Sequence, residues 1–273
     1  MRGAPAFSKM KAHLLTRGLR VLGGAFVLLS LPASANLATI IADRDAAIFA
    51  QNPDYNLGAG NLIAGTNAHF SDNARSLLEF NIVSSLPAGS IINSVFFQVG
   101  VIRQSNSASA SAYELHPLLK DWTEGNGGVG VNNGSPALAG ETTWNSEFHG
   151  ATLWGTPGGL AGTDYLSSAS GVGPAINSAN VLYQIDSTSS LVADVQGWLD
   201  NPATNDGWAF LGSSEGIAGT ARRFSSTEVP GDGIASALTP RIIVDYTTVP
   251  EPGMGISLLA GFGMLILLRL RRG

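Results

Sequence analysis

The sequence predicts an all-β fold, a jelly-roll β-sandwich with one short helix, set between two terminal segments that lie outside it. Three observations predict it. Short apolar or alternating runs recur through the middle of the chain, separated by Gly, Pro, Asn and Ser clusters, which is how strands and turns read. Only one stretch carries a helical stripe. The 273 residues contain no cysteine, so the middle must rest on a packed core rather than on disulfides, and its length is enough to bury one.

Residues 39–43 and 46–49 read as the first strands, and residues 52–58, with Pro53, Asp54, Asn56 and Gly58, as a turn-rich loop. Residues 62–65 form a short strand. Residues 75–82 alternate in part, with Leu77 and Glu79 on one side and Leu78, Phe80 and Ile82 on the other. After the turn Leu86-Pro87-Ala88-Gly89-Ser90 comes a long strand, 91–103, whose Val95, Phe97, Val99 and Val101 share one face opposite Phe96. Residues 112–119 make another strand. Residues 126–139 and 155–180 hold few large apolar residues and read as long loops around Thr142-Thr143-Trp144 and Trp154. Residues 181–186 form a strand. Ser189 or Ser190 then caps a helix with Leu191, Val192, Val195, Trp198 and Leu199 in one stripe, stopped by Asn201-Pro202. Residues 207–212 and 241–246 are the last strands. Many strands, one helix and long loops point to the jelly-roll arrangement.

The ends read differently. Residues 1–20 carry five basic residues and no acid, residues 21–31 are apolar, and Ala33 and Ala35 stand in an A-x-A pattern. This is a signal peptide over 1–35, with cleavage expected after Ala35. At the other end, 249–273, the Pro250-Glu251-Pro252 hinge precedes an uncharged apolar run, 253–268, and then Arg269, Arg271 and Arg272. A helix over that run would span roughly 24 Å at about 1.5 Å per residue, short for a bilayer core but extended by snorkelling arginines. The arginines should stay cytoplasmic, which places everything before Val249 on the far side of the membrane.

The order Val-Pro-Glu-Pro, short apolar helix, arginine cluster resembles the PEP-CTERM sorting domain. The resemblance implies a Gram-negative envelope protein, held first in the inner membrane and then passed to the cell surface or extracellular matrix. An exosortase-type transpeptidase would act at Pro250, Glu251 and Pro252 and discard the helix.

The intervening part, 36–248, carries seven basic and nineteen acidic residues, a net charge near −12. Such a surface is not expected to bind nucleic acid or an acidic bilayer. It is compatible with Ca²⁺ and with neutral or metal-bridged glycans. The absence of cysteine excludes thiolate metal sites and a Cys nucleophile. His69, His116 and His149 are isolated in sequence, and neither a G-x-S-x-G elbow nor an H-x-x-x-H pair is present. Glu141 and Glu147 flank Trp144 like a glycosidase pair, but acids of this kind are common in loops. The expectation is a protein that is not an enzyme.

Trp198 and Trp208 are expected in the core. Trp122, Trp144, Trp154 and Tyr165 lie in or beside loops, where an aromatic ring can stack on a sugar while Asp, Asn or Glu groups bond its hydroxyls. They are the candidate glycan-binding residues, with packing of the sandwich edge as the other reading of Trp122 and Trp144. Asp43, Asp45, Asp54 and Asn56 offer the oxygen density of a structural Ca²⁺ site, although turn-forming Asx residues account for the same letters.

One ordered set of motifs spans nearly all of this part. It includes Asn56-Leu57-Gly58, Arg75-Ser76-Leu77-Leu78-Glu79-Phe80, Leu86-Pro87-Ala88-Gly89-Ser90 and Asp121-Trp122-Thr123-Glu124-Gly125. It continues through Thr143-Trp144, Val195-Gln196-Gly197-Trp198, Gly207-Trp208-Ala209-Phe210, Ser225-Ser226-Thr227-Glu228 and the strand 240–246. The set resembles the DNRLRE domain, a jelly-roll module of secreted bacterial proteins related to carbohydrate-binding modules. The resemblance implies a polysaccharide or exopolymer partner. A purely structural or adhesive matrix protein is the alternative, and an extracellular glycan-acting enzyme the weaker one.

Overall fold

The computed structural model describes residues 35–69, 72–128, 134–228 and 238–248. Ala33, Pro250, Glu251 and Pro252, with residues 1–34 of the expected signal peptide and the apolar run, lie outside them, whereas Ala35, its expected last residue, is described as the first residue of β1. No helix among the described residues is long and apolar enough to cross a membrane.

The described chain is mostly β. In order, its strands are β1 (Ala35–Ile41), β2 (Arg44–Phe49), β3 (Tyr55–Asn56), β4 (Leu62–Thr66), β5 (Asn73–Glu79), β6 (Ile91–Gln104), β7 (Tyr113–Pro117), β8 (Ser135–Pro136), β9 (Ser146–Phe148), β10 (Thr152–Leu153), β11 (Gly171–Val172), β12 (Val181–Ile185), β13 (Trp208–Gly212), β14 (Arg222–Phe224) and β15 (Arg241–Thr247). Helix α1 (Ile82–Ser85) is a single turn, α2 (Ser189–Asp200) is longer, and a 3-10 turn covers Pro202–Thr204.

All the strand pairs are antiparallel, and the main sheet curls into two halves joined through β4. Long β6 organises one half, pairing with β12 on one edge and with β15 and β14 on the other. Strand β1 pairs with β15, so the first and last described strands are neighbours. In the other half β5 lies between β2 and β13, and β7 and β11 extend it. Residues Leu62, Ile63 and Ala64 of β4 bond β14, whereas Gly65 and Thr66 bond β5. The crossing is made at Gly65, which has φ +102°, and a Cβ there would stand 2.7 Å from the Thr220 carbonyl oxygen. Only glycine fits that conformation and that approach.

The core between the halves follows from period-two alternation. Val95, Phe97, Val99 and Val101 of β6 point inward, as expected, and meet Leu78, Phe80, Trp208 and Phe210 from the opposite half. Ring contacts run through it, with centroids 5.5 Å apart for Phe97–Phe210 and 5.0 Å for Tyr113–Phe224. The Tyr183 hydroxyl accepts from the Tyr113 backbone N–H at 2.8 Å, which satisfies a polar group inside the apolar layer.

Helix α2 buries Leu191, Val195, Trp198 and Leu199 of the expected stripe, with Val192 half-buried beside them, and Trp198 sits 4.5 Å from Trp208 between ring centroids. Its N-cap is Thr188, not Ser189 or Ser190. Thr188 is the last extended residue, and its hydroxyl accepts from the Leu191 N–H at 3.0 Å. The Gln196 side chain ties the helix to the start of β6, accepting from the Ile92 N–H at 2.9 Å. The strand expected over 75–82 ends at Glu79. Asn81 caps a helical turn there, and this second helix still delivers Ile82 to the core.

Replacing Trp198 with alanine removes a buried ring that packs on another. Urea unfolding should show a loss of about 3–5 kcal/mol.

Candidate functional site

The outward face of the β2–β5–β13 half is covered, and its covering gathers the four expected glycan-binding rings. Trp122, Trp144, Trp154 and Tyr165 are 0, 8, 5 and 8 % exposed and form a second apolar cluster with Ala46, Ile48, Leu77, Leu118, Ala209 and Leu211. The expectation of an exposed stacking platform is corrected. The rings do converge, but on the sheet rather than on solvent. The reason lies in β5 and β13, which carry large apolar residues on both faces. Leu78 and Phe210 point to the main core while Leu77 and Ala209 point outward, so the loops after β7 must roof that second face. The polar atoms of the rings are used internally. The Trp122 indole donates to the Asp206 carbonyl at 3.0 Å and the Trp154 indole to the Thr143 carbonyl at 2.9 Å.

Two arginines fasten this roof. Arg75 projects from β5 and forks onto Glu215, with Nε 2.8 Å from Oε1 and Nη2 2.6 Å from Oε2. Its Nη1 donates to the Gly158 and Gly159 carbonyls at 2.6 and 3.1 Å. The guanidinium carbon lies 5.5 Å from the ring centroids of both Trp144 and Tyr165. Burial opposes the charge, but the Glu215 carboxylate more than offsets it and keeps Arg75 protonated. Arg44 does the same work at the other end. It bonds Glu79, donates to the Trp122 carbonyl at 2.5 Å, and stands 4.9 Å from the Trp122 ring centroid.

The four expected Ca²⁺ ligands do not form one site. Asp43 and Asp54 are exposed, and Asp54 accepts from the Asn145 amide at 2.9 Å. Asn56 is buried with its amide fully engaged. Its NH₂ donates to the Glu124 and Thr142 carbonyls at 2.7 and 2.9 Å, and its oxygen accepts from the Gly58 and Gly127 N–H groups at 3.0 and 2.8 Å. With every donor and acceptor of that side chain used, Asn56 holds loops together and has no oxygen left for a metal.

Asp45 alone enters an acidic cluster, and its companions come from elsewhere in the chain. Carboxylate oxygens of Asp45, Glu124 and Glu228 lie within 4.8 Å of one another. Asp45 is fully buried. Its Oδ2 accepts from the Thr227 N–H and hydroxyl at 2.8 and 2.9 Å, and its backbone N–H donates to Glu124 Oε1 at 3.1 Å. Its Oδ1 is buried with no hydrogen-bond partner. Burial first, then the Glu228 charge, holds the Asp45 carboxyl well above the usual carboxylate range. Burial pushes Glu124 up to about 7.

No arrangement for nucleophilic catalysis stands out among the described histidines. His116 is buried, with Nδ1 2.8 Å from the Leu166 carbonyl and Nε2 3.1 Å from Glu114 Oε1. The Ser213 hydroxyl lies 3.2 Å from Glu114 rather than beside the imidazole, so it is not paired with a base. Glu141 accepts the Asn126 and Leu138 N–H groups on its two oxygens, at 2.9 and 2.8 Å, and serves as a loop staple.

Two surface depressions among the described residues bear on binding. One, of about 500 Å³, is lined by Asp54, Asn145, His149, Leu153, Trp154 and Pro157, but Trp154 shows little of its ring there. The other, of about 490 Å³, lies where β4, β14 and β6 run side by side. Its floor is the cross-strand row Ile63–Arg223–Arg103. Around that row stand Phe49, Gln51, Asn67, Asn73, Gln104 and Asn106. Arg103 is exposed and Arg223 half-buried. Burial and the neighbouring Arg103 charge both lower the Arg223 guanidinium from its ordinary value. Compared with known proteins, the chain matches no protein-family model and no curated relative.

Sequence reasoning missed Arg103, Arg223, Glu124 and Glu228 as site residues. Glu124 and Glu228 stand inside two of the ordered motifs, which is the signal that could have singled them out.

Because the roof is a second core, Trp144→Ala should cost about 3–5 kcal/mol in chemical unfolding. Arg75→Met, which leaves Glu215 without its partner, should cost about 3–5 kcal/mol as well. A melting temperature unchanged by Trp144→Ala would show that the ring is not packing.

Proposed function

We propose that this is an exported, non-catalytic protein of the cell surface or extracellular matrix, a jelly-roll module that binds polysaccharide. The observation that carries the reading is the Arg223–Arg103 pair. The two arginines are directly opposite across β14 and β6 in a concave, amide-rich cleft of a protein whose middle region is strongly acidic. Arg103 is exposed there and presents its guanidinium to the cleft. The Arg103 guanidinium and the amides of Gln51 and Asn106 suit sugar hydroxyls, and a guanidinium suits carboxylate or sulfate substituents better still, while Asp72 stands at the same cleft as an acceptor for hydroxyls. The cleft crosses three strands, a surface that fits an extended chain.

The DNRLRE resemblance supports the jelly-roll assignment, and the curled antiparallel sheet is compatible with it. Its motif residues Trp122, Trp198, Trp208 and Phe210 are buried frame residues, as expected of motifs that specify a fold. The export reading rests on the two terminal segments of the sequence. In it the apolar run anchors the precursor in the inner membrane until an exosortase-type enzyme acts at Pro250-Glu251-Pro252.

Binding of the purified chain to uronate-bearing, sulfated and neutral polysaccharides tests the main reading. Arg103→Ala and Arg223→Ala should each weaken binding about tenfold, or about 1.4 kcal/mol, and the affinity should fall as salt rises. If no polysaccharide binds, the structural-matrix alternative replaces this one.

Intact mass of the surface form tests the sorting reading separately. Loss of residues 253–273 is expected, and alanine at Pro250, Glu251 and Pro252 should leave the full-length chain in the inner membrane. A surface form that keeps those residues would make the tail an ordinary anchor.

A further inference from the structure

We infer that Asp45, Glu124 and Glu228 form a Ca²⁺ site that ties three separate segments of the fold together. Asp45 stands on β2, Glu124 follows β7, and Glu228 follows β14. Oxygens within 4.8 Å of one another match what one ion requires. Ca²⁺ holds its oxygens at roughly 2.3–2.6 Å, so ligands on opposite sides of it stand about 4.6–5.2 Å apart.

The independent observation is Asp45 Oδ1. Asp45 is 0 % exposed, and this oxygen has no hydrogen-bond partner, whereas Oδ2 of the same carboxylate takes both Thr227 contacts. A buried carboxylate oxygen without a donor costs free energy that a cation recovers.

The proton count points the same way. The single Thr227 hydroxyl proton faces Asp45 Oδ2 at 2.9 Å and Glu228 Oε1 at 2.6 Å, and it can serve only one of them fully. Arg44 also acts on Glu124, but its guanidinium is engaged with Glu79, Asp121 and the Trp122 carbonyl.

All three side-chain ligands are carboxylates, without imidazole or thiolate, which favours a hard cation over zinc or copper. Glu228 is exposed, so the site has an open side where water can complete the six to eight oxygens that Ca²⁺ takes.

The test uses the purified full chain in detergent, stripped with EDTA and free of any glycan, so its outcome is independent of the polysaccharide reading. Thermal unfolding is followed in EDTA, in CaCl₂ and in MgCl₂, and calorimetric titration with CaCl₂ gives the stoichiometry. Ca²⁺ at about a hundred times its Kd should raise the melting temperature by roughly 5–10 °C, with one ion bound per chain. Glu228→Gln, at an exposed position, should fold in EDTA and lose most of that rise, and Glu124→Gln should lose it too. Asp54→Asn, outside the cluster, should keep it. The proposal is overturned if the wild-type chain gains nothing from Ca²⁺, if Mg²⁺ alone stabilises it, or if both glutamine variants respond as the wild type does.

Discussion

The Arg75 fork is the interaction on which the outer half of this protein depends. One guanidinium on β5 meets the Glu215 carboxylate, two loop carbonyls and two aromatic rings at once. Each partner belongs to a stretch with little regular structure of its own, so the arginine supplies an order that backbone ladders do not. Gly158 shows how close the fit is. It has φ +87°, bonds Arg75 through its carbonyl, and lies against Trp144 so tightly that a Cβ would stand 2.6 Å from the ring. Packing, charge and glycine geometry agree at one point, and the loop is fixed there.

The fold therefore solves a problem that its own sheet creates. Strands β5 and β13 are apolar on both faces, and a two-layered arrangement buries only one of them. In place of a large further sheet or a row of helices, the described chain after β7 covers that face with loops and short strand pairs, anchored by tryptophans and by Arg44 and Arg75. Without disulfides, a covering of this kind needs polar fasteners, and half-buried guanidinium–carboxylate pairs provide them. The same economy explains Asn56, whose amide joins four backbone groups from three segments.

Much of the fold was legible because it rests on local periodicity. The alternation of Val95, Phe97, Val99 and Val101 and the stripe of Leu191, Val195, Trp198 and Leu199 each describe one element and its buried face. The short pieces β9, β10 and β14 were not legible, since two or three residues contain no period, and β14 is a strand only because β4 and β6 flank it. The burial of Trp122, Trp144, Trp154 and Tyr165 was hidden for a related reason. Glycine-rich surroundings signal a loop, but not whether the loop lies on water or on a sheet. Arg103 and Arg223 meet through strand register across 120 positions, and Asp45 and Glu228 approach across 183 without any strand pairing between them, and neither juxtaposition leaves a trace in the letters nearby.

The pairing of the last strand with β6 bears on how the protein would carry mechanical load. Thr247 lies beside Ile91 at the start of β6, while Arg103 lies near its other end, about 40 Å further along at roughly 3.3 Å per residue. A pull exerted from the C-terminal side of Thr247, resisted by a polymer held at Arg103, would run along β15 and β6 in opposite senses. Every rung of that ladder would be strained together, in shear, instead of parting one after another as in a zipper. A tether beyond Thr247 and a grip at Arg103, the positions the proposed function gives them, would fall where an antiparallel ladder resists force best.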